Sequence, residues 1–272
     1  MPFYQSKGEI PSKRHTVFKK NDGKNIYYEE LISREGFSSL YSNVYHIHMP
    51  TQLKKIGSLN RFKNEVQLDS YNHRHIETDK IKNNGDIISS RIKLFYNEDV
   101  SVSISSIQEE KKYFYKNAHH DELIYIQRGT GRFKSNFGNL NLSKGDYLII
   151  PRGIIWKLSN IDNIKCLIIE SKSPISSPNR YRNNFGQLME HSPYCERDIE
   201  SPVFVDPIDK IGDFIVKIKY SDGIQSYTYN NHPFDLIGWD GYYFPWKLNI
   251  NDFEPITGSI HQPPPVHQTF QG

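Results

Sequence analysis

The sequence predicts an all-β protein, and three observations carry the prediction. The 272 residues include one alanine, Ala118, against 33 isoleucines, 18 tyrosines and 15 phenylalanines. Alanine is the strongest helix former, whereas β-branched and aromatic side chains fit a pleated surface. Residues 100–105 (VSVSIS) alternate apolar and polar without exception, as a strand with one wet face does. From 122 to 171, short apolar runs recur with glycine or proline at the corners, the pattern of a small β-sandwich or barrel. A codon bias toward A and T would also raise isoleucine, lysine and the 22 asparagines whatever the fold, so composition alone is not decisive.

The elements follow in order. Residues 21–23 (NDG) form a polar turn, and Glu29, Glu30 and Glu35 around Leu31 and Ile32 suggest a short helix. Residues 83–86 (NNGD) are a strong turn signal, with strands expected over 87–95 and 100–107 beyond it. A strand at 123–126 should end in a turn at 129–131 (GTG). Strands at 132–137 and 140–142 then flank a turn at 138–139. Residues 144–146 turn into a strand at 147–150, residues 151–153 (PRG) turn again, and a strand at 166–170 closes the set. A Ser/Pro connection covers 171–178, a polar stretch covers 179–200, and further strands are expected at 214–220 and 225–229.

Length and charge bound the rest. At ~100–200 residues per domain, the chain is one large domain or one and a half. It is 36% hydrophobic and 24% charged, with enough aromatic bulk to build a core, which argues against disorder. Thirty-four basic and 31 acidic side chains are well mixed, giving +3 and no single-sign block. A nucleic-acid groove or a membrane-surface patch therefore has little support. No apolar run approaches the ~18–20 residues of a spanning helix, and residues 1–16 lack the apolar core of a signal peptide. Cys166 and Cys195 have no CxxC partner, so two reduced thiols in a cytoplasmic protein are expected.

Two marks of a cupin barrel stand in the middle block. One is His119, His120, Glu122 and Gly129; the other is Gly145, Pro151, Gly153, Trp156 and Asn160. A metal-binding cupin would carry histidine where Trp156 stands. A facial-triad site needs two histidines and a carboxylate on one point. Adjacent strand residues face opposite sides, so only His120 and Glu122 could share a face. The barrel is thus expected to be metal-free, with Trp156 filling its core. A metal-dependent cupin using His119 or His120 with Glu122 remains the weaker alternative. The pairs His46 with His48 and His73 with His75 have strand-face spacing but no assigned third ligand, so structural or surface roles are expected. Glu190, His191, Cys195 and Glu196 look chemically tempting, yet Ser192 and Pro193 imply a turn between them, and Glu196, Arg197 and Asp198 suggest an ion-pair network. No serine-nucleophile elbow, phosphate loop or dinucleotide fingerprint is present.

Longer stretches carry a family resemblance. Residues 8–16 (GEIPSKRHT), 27–31, 36–38, 121–123 and 145–153 (GDYLIIPRG) resemble the N-terminal part of bacterial homogentisate 1,2-dioxygenases. Residues 180–198 (RYRNNFGQLMEHSPYCERD), 232–241 (HPFDLIGWDG) and 252–270 (DFEPITGSIHQPPPVHQTF) are similar at greater length. The resemblance implies a two-cupin subunit that opens the ring of homogentisate with O2 at a non-haem Fe(II), giving maleylacetoacetate in tyrosine and phenylalanine breakdown. It also implies trimers and hexamers as the assembly. His261 resembles the family's substrate-binding histidine, the other reading being a turn-capping residue before the proline run. The iron ligands would lie in the second cupin, beyond the segment matched by 263–270, so no metal-ligating or other cofactor-binding residue is assigned here.

On this resemblance the chain divides into three parts. Residues 1–112 are an N-terminal extension with outer strands of the first cupin, 113–200 a degenerate metal-free cupin core with its connection, and 201–272 the entry of a truncated second cupin. The competing expectation is a non-catalytic cupin used for binding or assembly. The aromatic tail from 232 to 272 is expected to lie exposed without a second barrel to cover it.

Overall fold

A computed structural model describes residues 3–62, 72–255 and 268–272. The first strands are β1 (Gln5–Gly8), β2 (Tyr28–Ser33), β3 (Tyr41–His46) and β4 (Leu53–Arg61). The middle strands are β5 (Asn84–Gly85), β6 (Ile92–Tyr96), β7 (Val100–Ile107), β8 (Phe114–Asn117), β9 (Asp121–Ser135), β10 (Gly138–Leu142), β11 (Asp146–Ile150) and β12 (Trp156–Ser171). The last are β13 (Ile199–Glu200), β14 (Ile211–Lys219), β15 (Gly223–Asn231), β16 (Leu236–Gly241) and β17 (Trp246–Asn249). The helical elements among the described residues are short 3₁₀ turns. The protein is all-β, as the composition predicts.

The strands form two sheets. The smaller runs β1-β16-β3-β2, and the larger runs β13-β17-β11-β9-β12-β8-β14-β15-β4. In the larger sheet β10 lies on β9, while β7 pairs with β12 and carries β5 and β6. The fold is cupin-like, built around the long antiparallel pair β9 and β12, with Glu122 opposite Glu170 at one end and Ser135 opposite Trp156 at the other. Among the described residues the larger sheet does not close on itself. Strands after residue 200 complete both sheets: β14 runs parallel to β8, β17 pairs with β11, and β16 sits between β1 and β3.

Several local expectations are corrected. The acidic segment around Leu31 is strand β2, held by its ladder to β3, because tertiary pairing outweighs helix propensity. The strand expected at 87–95 begins only at Ile92, since Asp86 caps the backbone N–H groups of Ile88 (2.8 Å) and Ser89 (3.2 Å) in a turn. Residues 129–131 are not a turn. β9 runs straight through them, with a bulge in the opposing strand between Ser159 and Lys165. Gly129 sits there at φ +83°, and a Cβ on it would lie 2.4 Å from the carbonyl oxygens of Asp162 and Asn163. Glycine is needed at this crossing for both reasons. The β9–β10 turn falls on Asn136 and Phe137, two residues before its expected place.

One continuous core joins the barrel interior to the smaller sheet. Trp156, Trp239 and Trp246 are all fully buried within it. Trp239 packs on Phe137 and Phe244 at 5.0 and 5.2 Å, and its indole N–H donates to the Phe137 carbonyl at 3.0 Å. The expectation of an exposed aromatic tail is thus wrong for Phe234, Trp239, Phe244 and Trp246. β16 and β17 insert into the sheets of this unit, so their large side chains find partners without a second barrel. Tyr242 is an exposed ring within the described part of the tail, and Phe37 and Phe185 are exposed elsewhere.

Candidate functional site

The end of the β9–β12 pair holds a cluster of buried charge. Parity along β9 turns Glu122 to the same side as Ile124, and the register places Glu170 of β12 directly beside it. Both carboxylates are shielded from solvent, at 0% and 2% side-chain exposure. Arg91, just before β6, reaches them with Nη1, 2.8 Å from Glu122 Oε1 and 3.3 Å from Glu170 Oε1. Lys219, at the end of β14, pairs with Glu170. Tyr115 donates its hydroxyl to Glu122 Oε1 at 3.0 Å, and Ser101 donates to Glu170 Oε2 at 3.1 Å.

Asn117 ties this cluster to the β8–β9 turn. Its amide nitrogen donates to Glu170 at 2.8 Å and Glu122 at 3.3 Å, and its oxygen accepts from the backbone N–H groups of His119 (3.2 Å) and His120 (3.0 Å). Burial opposes ionisation of Glu170, but the adjacent Arg91 and Lys219 outweigh it and hold its carboxyl down to about 2. Burial pushes the Tyr115 hydroxyl well above its ordinary range, reinforced by Glu122.

The expected histidine sites resolve differently. His119 and His120 lie in the turn before β9, not on the strand, so side-chain parity starts at Asp121. His119 stacks edge-on against Tyr220 at 5.7 Å, while burial lowers the pKa of His120. Trp156 is enclosed by Tyr115 at 5.2 Å and Phe133 at 5.5 Å, so the position of a metal-binding histidine is filled by core indole. No group of three or more His, Cys, Asp or Glu that could hold a metal occurs among the described residues. Glu122, the carboxylate a metal would need, already accepts from Arg91, Tyr115 and Asn117 on one oxygen. These residues therefore do not fit an iron site.

His46 and His48 do not converge either. His46 Nδ1 lies 2.7 Å from Asp235 Oδ1 and its Nε2 lies 3.0 Å from Glu30, whereas His48 Nε2 lies 2.6 Å from Asp209. Burial pulls the His46 pKa down, but the hydrogen bonds and charges of Asp235 and Glu30 outweigh it and raise it to about 9. This contribution to stability is full below the ordinary value of 6.5 and is lost as pH rises through about 9. At ~1.4 kcal/mol per unit, the loss is about 3 kcal/mol. Urea midpoints taken between pH ~6 and ~10 should fall for the wild type and hold nearly level for His46→Gln. Equal slopes for the two proteins would remove His46 as the cause.

The remaining candidates are structural. His73 and His75 are exposed in an irregular segment. Glu196 accepts from the Leu188 backbone at 2.8 Å and Asp198 from that of Cys195 at 2.7 Å, so the tempting 190–198 cluster organises its own loop. Both cysteines are free; Cys166 is buried and its thiol is pushed up to about 12. His261 lies outside the described residues. Arg91 and Lys219 are the functional-looking residues that sequence reading misses, because neither sits in a motif and only the sheet order brings them to the two glutamates.

Fold and cluster together define an all-β cupin-like protein with a buried charge cluster at one end of its long β9–β12 pair. Comparison with known proteins narrows this. The family described as homogentisate 1,2-dioxygenase N-terminal matches residues 76–250. A protein of Saccharolobus solfataricus named as a dioxygenase is 42% identical over 272 residues, covering 99% of this chain and 70% of that protein. Homogentisate 1,2-dioxygenase of Rhodopseudomonas palustris is 23% identical over 57% of this chain and 34% of its own length. That of Emericella nidulans is 25% identical over 60% and 36%. Among solved structures, a cupin-2 domain protein of Shewanella frigidimarina matches 30% of this chain at 22% identity and a TM-score of 0.28, which adds nothing to the strand order itself. The chain belongs to the homogentisate 1,2-dioxygenase N-terminal family. It spans about a third of the length of the homogentisate 1,2-dioxygenases it matches. No helix among the described residues is long and apolar enough to cross a membrane.

Proposed function

We propose that the protein carrying this chain is an Fe(II)- and O2-dependent dioxygenase that cleaves the ring of homogentisate to maleylacetoacetate, in tyrosine and phenylalanine catabolism. The observation that carries this reading is the family match over 76–250, set beside end-to-end similarity to a protein named as a dioxygenase. In this reading the protein is a cytoplasmic homo-oligomer, a trimer or hexamer, and binds neither nucleic acid nor membrane. The described residues supply architecture: they hold the sheets together and do not touch the reacting ring. His261 is the substrate-binding residue of the proposal. The division at 112 and 200 belongs to the same proposal, with 201–272 as the entry of a second cupin whose strands also pair with those of the first unit.

Oxygen uptake tests the reading. The full polypeptide that carries this chain, loaded with Fe(II), should consume one O2 per homogentisate, and the 272-residue chain alone should consume none. Robust turnover by the chain alone would overturn the assignment of the chemistry to residues beyond it. A full polypeptide that ignores homogentisate but cleaves another dihydroxy aromatic would overturn the substrate. A second reading, a non-catalytic cupin for binding or assembly, is favoured by the side-chain-filled barrel. It gains the field if the full polypeptide cleaves no aromatic ring.

A further inference from the structure

A cleft of about 230 Å³ lies between the two sheets, with β2 and β3 on one side and β8 and β15 on the other. That volume is below the ~300–1,000 Å³ of pockets for drug-sized ligands, so its occupant is small. The titratable groups on its walls include Glu30, His46, Lys116, Tyr229 and Asp235. Neighbouring strand residues face opposite sides. Tyr115 and Asn117 turn into the charge cluster, and Lys116 between them turns the other way, into the cleft.

The carboxylates of this cleft are already engaged. His46 meets Asp235 with Nδ1 at 2.7 Å and Glu30 with Nε2 at 3.0 Å. Lys116 makes no hydrogen bond or ion pair with the described residues, yet its Nζ keeps accessible surface on the cleft wall. Burial penalises the ammonium and the attraction of Glu30 only partly offsets it, so the amine is held below its ordinary 10.5. At neutral pH the two carboxylates are matched by protonated His46 and by Lys116, and burial pushes the Tyr229 hydroxyl up to about 12, so it is uncharged. The cleft therefore has no net charge to draw in an ion. What it offers is an unpaired amine in a largely dry space, the setting that makes a lysine nucleophilic. Nothing in the ring-cleaving reading uses this amine.

We propose that this inter-sheet cleft is a covalent binding site for a small aldehyde or ketone, with the Lys116 amine as its nucleophile. The nitrogen lone pair attacks the carbonyl carbon and forms the C–N bond. The two amine hydrogens then leave with the carbonyl oxygen as one molecule of water, and the product is an imine. No oxidant or reductant is needed, and the step reverses on hydrolysis. Glu30, which lines the cleft and keeps 41% of its side chain exposed, is the group placed to pass protons to solvent. The proposal does not rest on the dioxygenase reading, because imine formation here needs neither iron nor O2.

Reductive trapping tests the site. The folded full polypeptide that carries this chain is treated briefly with acetaldehyde and cyanoborohydride, and peptide mass spectrometry follows each lysine. At pH ~7 the neutral fraction of an amine rises about tenfold for each unit by which its pKa falls. Lys116 should therefore be ethylated at least ~10-fold faster than the exposed Lys13 and Lys24. Its rate should level off at a pH below 10.5, the ordinary lysine value. Ser33→Trp fills the cleft without touching the amine and should slow the reaction of Lys116 at least ~10-fold, with Lys13 and Lys24 unchanged. The unfolding curve of that variant is recorded alongside, and the wild-type pH profile stands without it. Labelling of Lys116 no faster than that of the exposed lysines, a profile that levels off at 10.5 or above, or a wild-type rate in folded Ser33→Trp would each overturn the proposal.

Discussion

Arg91→Met is expected to destabilise the protein by about 3–5 kcal/mol, the range for removing one partner of a buried ion pair. Methionine preserves much of the side-chain volume, so the loss reports the charge rather than a cavity. Arg91 Nη1 bridges Glu122 and Glu170, both shielded from water, and its removal leaves Glu122 with only the neutral donors Tyr115 and Asn117. Glu170 would keep Lys219 and Ser101. The variant's defect should therefore shrink as pH falls toward 2, because part of it is the Arg91–Glu170 attraction, which the wild type itself loses there. The wild-type Glu170 carboxyl is held at about 2 against an ordinary 4.5, so that stabilisation is present above 4.5 and lost as pH falls toward 2. Urea unfolding of both proteins at neutral and acid pH reads the difference directly. A loss under about 1 kcal/mol at neutral pH, or a defect that does not shrink on acidification, would show that Arg91 does not compensate these carboxylates. Adding Glu122→Gln to the variant should restore part of the loss, since it removes the stranded charge.

What the sequence made legible is what local rules determine. The strict alternation at 100–105 became β7, though its expected wet face is not wet, since Ser103 and Ser105 are buried; the corner residues at 144–146 and 151–153 became turns, and Trp156 became core, because each depends on a few neighbouring residues. Gly129 misled because glycine serves two purposes. It marks tight turns, and it also lets one strand pass a bulged neighbour at close range. Leu31 misled because its flanking glutamates favour helix locally while the ladder to Asn43 decides the outcome. The charge cluster was not legible at all. Arg91, Glu122, Glu170 and Lys219 are spread over some 130 residues, and only the order β9-β12-β8-β14, with β6 and β7 laid on β12, makes them neighbours. Glu122 alone drew attention, and for metal chemistry rather than for the ion pair and hydrogen bonds it makes with Arg91, Tyr115 and Asn117. The buried tail was misjudged for a related reason: periodicity cannot say that β16 and β17 pair backward with β3 and β11.

Trp156→Ala should cost about 3–5 kcal/mol, the usual penalty for emptying a fully buried indole site. At about 2–4 °C per kcal/mol for a chain of this size, the midpoint of thermal unfolding should fall by about 6–20 °C. The indole stands edge-on to Tyr115 and tilted against Phe133, and the Tyr115 hydroxyl in turn donates to Glu122. Core packing and the charge cluster are thus joined through one tyrosine ring. If the Tyr115 ring shifts into the space that the indole leaves, its hydroxyl withdraws from Glu122, and the Arg91 variant then has less to lose. Trp156→Ala and Arg91→Met should consequently be non-additive by about 0.5–3 kcal/mol, whereas Trp156→Phe, which keeps a ring against Tyr115, should couple less. A double variant whose loss equals the sum of the two singles would mean that Tyr115 is held by its other neighbours. Trp156→His separates packing from ligation. It places imidazole where a metal-binding barrel has it, yet Glu122 stays engaged by Arg91 and Asn117, and His119 and His120 stay in the turn. Fe(II) equilibrated with this variant should remain unbound, and stoichiometric retention of iron after gel filtration would show that the tryptophan alone had been keeping the barrel free of metal.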